Sequence, residues 1–307
     1  MSRTHTRTAR PVRSMDEKMS RWAGKSPLQV LQEIGADWQA EVKEIRTIDG
    51  LEIPEKRATV NPLTKQVMGI VGDGFCPLHN NVLSTSMTEL SEALGEPIQI
   101  TEAFNAEGGK LISLSGKIGN GTSIIEGDEV IPVVHLLQGN AGNSLLKFRF
   151  SIDRKVCSNG MTAPVAGMSA IFSIRHTKTI EARYSWNFDG VLRNFSVIHQ
   201  NILENFRKFA RHKMDKAGAI AFFNEIAKIK GDKDEKAKQT VNELIEVWNH
   251  PRQTLAGDTM WRAYNAATEY LQHWGFRNDE SMLLNNLDGA ATEQKYEAYQ
   301  LALTIAS

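Results

Sequence analysis

The chain has 307 residues, 41% of them hydrophobic and 23% charged, and its 36 Lys and Arg balance 36 Asp and Glu. This is the composition of an ordinary globular chain with room for one large core or two smaller ones. No apolar run approaches the roughly 20 residues of a membrane helix, and the N-terminal residues lack the apolar segment of a secretory signal. Two distant cysteines, Cys76 and Cys157, argue against a disulfide scaffold. We therefore expect a cytoplasmic protein.

The neutral total conceals four blocks of opposite charge. Residues 1–25 contain seven Lys or Arg and two acids, a net charge of +5, whereas residues 26–141 contain seven against sixteen, a net charge of −9. Residues 142–216 contain thirteen against five, a net charge of +8, and residues 217–307 contain nine against thirteen, a net charge of −4. This separation predicts a polyanionic partner, or contact between basic and acidic surfaces of different subunits.

The predicted elements begin after a polar N-terminal segment. Residues 1–25 alternate Arg with Thr, Ser and Pro and have almost nothing apolar to bury, which predicts a disordered basic arm. Ser26-Pro27 is typical of a helix start, and residues 80–94 indicate a second helix that ends before Gly95. Short alternating or β-branched runs indicate strands at residues 42–48, 51–53, 57–60, 66–71, 98–104, 110–118, 130–137, 145–153 and 170–178.

One predicted strand carries the most information about function. Apolar and polar residues alternate from Leu146 to Asp153, so that Phe148 lies on one face and Lys147 and Arg149 on the other. Period-two alternation predicts a strand with one buried face. We therefore expect Phe148 and Phe150 to be buried and Lys147 and Arg149 to be exposed, with two further cations, Arg154 and Lys155, at the strand end.

From about residue 191 the pattern changes to a period of 3.6 residues and remains helical to the end of the chain. In the helix predicted for residues 192–214, Phe and Ile side chains gather on one side. The opposite side carries Arg193, Glu204, Arg207, Lys208 and Arg211. This pattern predicts a helix with a core face and a basic face, in the same +8 block as the basic strand.

Catalytic and metal-binding patterns are weak. The eight histidines are scattered without an HxxxH or HExxH pair, and no glycine-rich segment has the spacing of a phosphate loop. A nucleophilic role for Cys157 would require a nearby base and a lowered thiol pKa. The sequence therefore predicts no catalytic residue, no metal and no cofactor.

The predicted fold class is α+β: a mixed, largely antiparallel sheet with a packed helix, followed by an α-helical C-terminal region. We predict three parts. They are a disordered basic arm at residues 1–25, a mixed β-sheet α+β domain at residues 26–190, and a helical region at residues 191–307 packed on or beside the sheet.

Three segments together resemble an uncharacterised phage- and plasmid-encoded family of unknown function, often labelled phage/plasmid-like protein. They are VMGIVGDGFCPLHN at 67–80, RKVCSNGM at 154–161 with RHTK at 175–178, and WRAYNAATEYLQH at 261–273. The chain departs from the family pattern at Phe75, where an aromatic residue with a hydroxyl is usual. The resemblance implies carriage on a mobile element, close to replication, recombination or anti-defence functions, and implies no established activity. The succession of strands and a basic helix is also similar, at the level of fold, to single-strand annealing proteins.

We therefore predict a non-catalytic, phage-type protein that binds single-stranded DNA, with annealing or recombination as the candidate processes. We expect a homo-oligomer in the cytoplasm of a bacterial host, without membrane contact. Two alternatives stay open, an anti-defence or host-takeover protein that acts by binding another protein, and a metal-dependent nuclease. The predicted phosphate-binding residues are Lys147, Arg149, Arg154, Lys155, Arg175, Lys178, Arg193, Arg207, Lys208 and Arg211.

Overall fold

The fold combines two antiparallel sheets with helices on both sides of the chain's larger sheet, which confirms the predicted α+β class. The structure is a computed structural model that describes residues 11–142, 146–155, 172–177 and 188–307. The described strands are β1 (Glu41–Arg46), β2 (Glu52–Val60), β3 (Val67–Gly72), β4 (Ile98–Ala106), β5 (Leu111–Ile118), β6 (Thr122–Ile125), β7 (Asp128–Gly139), β8 (Leu146–Arg154) and β9 (Phe172–Ile174). The described helices are α1 (Met15–Ser20), α2 (Pro27–Glu33), α3 (Val82–Leu94), α4 (Phe188–Arg211), α5 (Lys216–Ile229), α6 (Asp234–Asn249), α7 (Pro251–Thr254), α8 (Met260–His273), α9 (Asp279–Asp288) and α10 (Ala290–Ala306).

The smaller sheet has three strands in the order β1-β2-β3. The sequence predicted two strands where the structure has the single strand β2, because Pro54 and Glu55 interrupt the alternation. Glu55 has a φ of 58°, and the pairing with β1 shifts register between Glu44 and Arg46. The interruption is therefore a bulge in one strand, where the missing N–H of proline is tolerated.

The larger sheet has six strands, with β4-β5-β7-β8-β9 adjacent in that order and β6 paired with β7. Its register aligns four polar residues in one row across four strands: Glu102 pairs with Ser115, Ser115 with His135, and His135 with Arg149. Residues that pair directly across neighbouring strands have their side chains on the same face of the sheet, so these four share one face. Glu102, His135 and Arg149 of this row line a cavity described below.

The opposite face of the larger sheet packs on helices α2 and α3. Leu114, Leu136 and Phe148 are buried there, together with Leu83 and Leu90 of α3. The predicted strand is present as β8, and Phe148 is buried as predicted, whereas Phe150 is only half-buried against the same core. This face is the first of the two main hydrophobic cores.

The C-terminal helices build the second core around α8, which packs against α4, α5, α6 and α10. Trp261 and Tyr264 of α8 are fully buried, and the Trp261 ring centroid lies 4.8 Å from that of Phe206 in α4. Each aromatic side chain of this size buries a large apolar area. The aromatic stripe of α8 is therefore core packing, which leaves no ring of Trp261 or Tyr264 for stacking on bases.

The N-terminal segment corrects one prediction. Residues 11–25 are not disordered: α1 begins with a capping box between Ser14 and Glu17, and Met15 is fully buried against Ile131 and Val133 of β7. A capping box satisfies two backbone donors at a helix start, and the buried methionine anchors the segment to the sheet. Residues 1–10 of the predicted arm lie outside the described residues.

Across the described helices, none has the length and apolar character needed to cross a bilayer.

Candidate functional site

Arg154, predicted to bind phosphate, is completely buried. Its Nε donates to Asp128 Oδ1 at 2.5 Å, and a guanidinium N–H donates to Gln253 Oε1 at 2.7 Å. The other oxygen of Asp128 accepts from Trp261 Nε1 at 2.9 Å. Arg154 therefore joins the sheet to helices α7 and α8, and its predicted contact with nucleic-acid phosphates is wrong, because a buried guanidinium cannot reach a ligand at the surface.

Arg149 also faces the protein interior. It is half-buried and donates to the backbone oxygen of Leu287 and, at 3.4 Å, to Thr292 Oγ1. Lys147 is half-buried as well. The predicted full exposure of Lys147 and Arg149 is therefore wrong. The physical reason is that α9 and α10 cover the polar face of β8, and alternation alone does not show whether a polar face meets water or another layer.

The remaining predicted residues of this block have mixed environments. Lys155 is half-buried and pairs with Glu129 Oε2 at 3.1 Å, and this hydrogen bond raises the pKa of Lys155. Arg175, directly after β9, is exposed. Lys178 and the side chain of Arg193 lie outside the described residues. Of the two residues in this group whose side chains the structure describes, Arg175 is therefore the exposed candidate for a phosphate contact.

The basic face of α4 is at the surface, as predicted for its C-terminal half. Lys208 and Arg211 are exposed and Arg207 is half-buried. In the part of the chain that the structure describes, none of these three side chains forms an ion pair. Lys213 and Lys216, which the sequence argument did not single out, are exposed too. We call these five residues, Arg207, Lys208, Arg211, Lys213 and Lys216, the α4 basic surface.

A second candidate site, which the sequence did not predict, lies on the polar face of the larger sheet. An outer cavity of about 230 Å³ opens between α1, β4, α8 and α9. It adjoins an inner cavity of about 30 Å³ beneath α10, and both are bounded by Lys18, Glu102, Gln272 and Leu283. The inner volume is enough for a water molecule or a small polar group. We call the two together the α10 cavity.

A chain of hydrogen bonds crosses the floor of the α10 cavity. Ser115 Oγ lies 2.8 Å from His135 Nδ1, and His135 Nε2 lies 2.8 Å from Ser151 Oγ. Ser151 in turn donates to Asp153 Oδ1 at 3.1 Å. A serine hydroxyl has one proton; since Ser151 donates it to Asp153, His135 Nε2–H must donate to Ser151 and Nδ1 must accept from Ser115. The chain is therefore ordered from Ser115 to the carboxylate.

Burial shifts the pKa values of two members of this chain. Burial, helped by the nearby charges of Lys18 and Arg149, lowers the pKa of His135 to about 3, so the ring is neutral. Burial also raises the pKa of the Asp153 carboxyl. Groups with shifted pKa values that meet at a cavity mark candidate functional sites.

Lys295 and His273 line the roof of the α10 cavity. Lys295 is 1% exposed and donates to Gln272 Oε1 and, at 2.7 Å, to Asn286 Oδ1. Burial lowers its pKa to about 7. His273 is 3% exposed, and neither ring nitrogen has a hydrogen-bond partner among the described residues. Burial lowers the His273 pKa to about 3. A buried, neutral ring without partners is costly unless a ligand or water supplies them.

The α10 cavity was not predicted from the sequence because no short sequence motif indicates it. His135, Asp153, His273 and Lys295 come from four elements and meet only through the sheet register and the position of α10. The one local signal is His135 itself, a polar residue between Val133 and Leu137 in an otherwise apolar strand. Within the described ranges, no three His, Cys, Asp or Glu side chains are grouped to hold a metal ion.

Comparison with known proteins gives one match. A family model described as "Domain of unknown function (DUF932)" matches residues 67–294, about three quarters of the chain. Neither a curated protein nor a solved structure matches. The matched range covers β3 to α9 and the first residues of α10, so it includes the larger sheet, the α4 basic surface and most of the walls of the α10 cavity.

Proposed function

The chain belongs to the family described as "Domain of unknown function (DUF932)", and from its exposed charges we propose that it binds single-stranded DNA through the α4 basic surface. The proposed setting is a phage or plasmid, in the cytoplasm of a bacterial host. This setting rests on the motif resemblance at residues 67–80, 154–161 and 261–273. The role is proposed to be non-catalytic and carried out by a homo-oligomer.

The observation that carries the proposal is the absence of ion pairs on the α4 basic surface within the described part of the chain. The single acid among residues 207–216 is Asp215, and its Oδ1 already accepts from the backbone N–H of Gly218 at 2.8 Å. Lysine and arginine side chains without carboxylate partners are free to neutralise phosphates and to release their counterions. The five cations are therefore not engaged in salt bridges among the described residues, and the exposed Glu204 lies one helical turn before Lys208.

Helix α4 holds three cations of this surface, Arg207, Lys208 and Arg211, in a fixed position. Phe206 and Phe209, on the opposite side of α4, are fully buried in the core around α8. The helix therefore cannot rotate its cations away from solvent without exposing two phenylalanines. A helix end also favours positive charge in its last turn, where Lys208 and Arg211 lie.

A specific observation favours a second candidate, a protein partner. The small sheet and the turn before β2 expose large apolar side chains: Leu51 is 64% exposed, Val67 56% and Ile70 66%. Exposed apolar side chains of this size are candidates for contact with another protein. An anti-defence or host-takeover role through this sheet is therefore the alternative to DNA binding.

The test is a salt titration of binding to a fluorescent oligo-dT strand, followed by anisotropy. Wild-type affinity should fall steeply with salt, with a log–log slope of about −0.7 for each phosphate neutralised. The variant Lys208→Ala/Arg211→Ala should bind more weakly, and its slope should be shallower by about 1.4. Absence of salt-dependent binding by the wild type at low ionic strength would contradict the proposal.

The matched control removes two exposed lysines from other elements. Lys56 lies on β2 and Lys238 on α6, and both are exposed. The variant Lys56→Ala/Lys238→Ala changes the net charge by the same amount but should leave both affinity and slope close to those of the wild type. Equal losses in the two variants would show a response to overall charge instead of to the α4 basic surface.

A further inference from the structure

The environment of Lys295 is that of an uncharged amine. Within the described residues, its Nζ has no carboxylate at ion-pair distance and bonds only to the side-chain oxygens of Gln272 and Asn286. A buried ammonium normally requires a carboxylate partner, because the cost of removing its charge from water is several kcal/mol. A neutral amine has two N–H groups and one lone pair. Two amide oxygens satisfy it completely, and the lone pair stays unused.

The groups that face Lys295 come from every element around the α10 cavity. Next to Lys295 in the inner cavity these are Lys18 of α1, Glu102 of β4, His135 of β7, and Arg149 and Asp153 of β8. The adjoining outer cavity adds Arg13, Glu17, Arg21, His273 and Asp279. Burial is the largest influence on Lys295; the negative charge of Asp153 opposes it and the positive charge of Lys18 adds to it. At a pKa of about 7, roughly half of the molecules carry the free amine at neutral pH, against about one in 3,000 for a lysine at its ordinary value of 10.5.

We propose that Lys295 is a nucleophilic amine that forms an imine with a small aldehyde or ketone bearing an anionic group. The inference goes beyond DNA binding and concerns a different part of the molecule. The inner cavity of about 30 Å³ next to Lys295 limits the reacting end to a small carbonyl group. His273, buried in the adjoining wall with both ring nitrogens unpartnered, offers hydrogen bonds to the rest of such a ligand.

The anionic group is inferred from the mouth of the cavity. Arg21 lines it and stacks over the Trp22 ring, with 4.5 Å from the guanidinium carbon to the ring centroid. In the described part of the chain, Arg21 has no carboxylate partner. Lys18, deeper in the same wall, is 3.8 Å from Glu102. The same cavity is lined by the acids Glu17, Glu102 and Asp279 as well as by the cations Arg13, Lys18 and Arg21. Arg21 itself, stacked on an aromatic ring and without an ion pair among the described residues, is suited to bind a carboxylate or phosphate.

The reaction balances without an oxidant or a cofactor. The Lys295 lone pair forms a C–N bond to the carbonyl carbon while the C=O π electrons move to oxygen. Nitrogen then loses its first proton and oxygen takes up one, which gives a neutral carbinolamine. The resulting hydroxyl leaves as water when it is protonated, and the C=N bond forms as nitrogen loses its second hydrogen. Asp153, a carboxyl in the same cavity with a raised pKa, can donate a proton to the oxygen and recover one from nitrogen.

The test traps the imine in the intact protein. Glyoxylate, a two-carbon aldehyde with a carboxylate, is added at pH 7 with cyanoborohydride, and the modified lysines are located by peptide mass spectrometry. Lys295 should be labelled at least tenfold faster than the exposed Lys56 and Lys238. Its labelling rate should rise with pH to a midpoint near 7. Lys295 labelling slower than that of the exposed lysines, or a midpoint near 10, would overturn the proposal.

Two variants and a second aldehyde separate the parts of the inference. Arg21→Ala should lower the labelling rate with glyoxylate several-fold and leave the rate with neutral propionaldehyde unchanged. Equal labelling rates with both aldehydes in the wild type would overturn the inference that the ligand is anionic.

Lys295→Met should abolish the selective label. If Lys295→Met does not fold, the pH midpoint in the wild type still decides. Lys208→Ala/Arg211→Ala should label normally, so failure here is distinct from failure of DNA binding.

Discussion

The cations of β8 and the cations of α4 belong to one basic block of the sequence but meet opposite environments. Arg154 of β8 is fully buried against Asp128 and Gln253, whereas Lys208 and Arg211 of α4 are exposed. Both elements are amphipathic, and both place cations opposite phenylalanines, Arg149 on β8 and Lys208 and Arg211 on α4. The difference is what covers the cations. Helices α9 and α10 cover Arg149, and α7 and α8 cover Arg154 at the end of β8, whereas Lys208 and Arg211 meet solvent.

The comparison teaches that an amphipathic pattern locates the apolar side of an element but not the environment of its polar side. On β8 the polar side forms the floor of the α10 cavity, where charged side chains either have partners or have pKa values that burial shifts towards the neutral form. On α4 the polar side kept its charges. A concentration of positive charge in sequence is therefore not a concentration at the surface, and the two elements should respond differently to the same kind of substitution.

The largest expected effect comes from removing the Arg154 guanidinium. Arg154→Ala should lower the free energy of unfolding by about 3–5 kcal/mol, because it leaves the Asp128 carboxylate buried and without its charged partner. Urea denaturation followed by circular dichroism measures this. In the double variant Arg154→Met/Asp128→Asn much of the loss should be recovered, since no charge is then left unpaired. A loss below 1 kcal/mol for Arg154→Ala would mean that Arg154 is not buried as described.

The next effect concerns pH and the roof of the α10 cavity. The pKa of Lys295 is lowered to about 7 in the folded protein, so between pH 7 and about 10.5 the unfolded chain holds one more proton than the folded one. Stability therefore rises with pH in this window and is lost as pH falls towards 7. Between pH 7 and pH 9 the gain should be about 2 kcal/mol, from roughly 1.4 kcal/mol per pKa unit.

Lys295→Met supplies the control for this pH dependence. The variant lacks the titrating amine and does not gain this stability, so the unfolding free energy of the variant minus that of the wild type should fall by about 2 kcal/mol from pH 7 to pH 9. Denaturation curves at several pH values measure it. A constant difference across this range would show that Lys295 titrates at its ordinary pKa and keeps its charge in the cavity.

The smallest effect is expected on α4. Lys208→Ala/Arg211→Ala should change the free energy of unfolding by no more than about 0.5 kcal/mol, because exposed substitutions away from special contacts have little effect. Thermal or urea denaturation checks it. Destabilisation comparable to that of Arg154→Ala would show that the α4 cations have structural partners, and the contrast between the two elements would be lost.

The sequence predicted local structure well where one rule governs it. The alternation of residues 146–153 predicted β8, and Ser26-Pro27 predicted the capped start of α2. Gly95 ends α3, as predicted, in a left-handed conformation with a φ of 65°. The short strand β6 was missed because its four residues are too few for a period to show. The ordering of residues 11–25 was missed because it depends on the single buried Met15.

The candidate sites divide in the same way. Lys208 and Arg211 could be predicted because their exposure follows from the helical period of α4 alone. Arg149 and Arg154 could not, because their burial depends on helices more than 90 residues later in the chain, through Gln253 and Leu287. Lys295 carries no signal of its own, since its low pKa comes from the packing of α10 on the sheet.

The most direct test of the contrast between β8 and α4 is phenylglyoxal modification of arginines in the folded protein, with and without an oligo-dT strand, read by peptide mass spectrometry. Without the strand, Arg211 should be modified and Arg154 should stay unmodified; with the strand at low salt, Arg211 should become protected. Modification of Arg154 in the folded protein would contradict its burial. Unchanged modification of Arg211 in the presence of bound strand would contradict the assignment of DNA binding to the α4 basic surface.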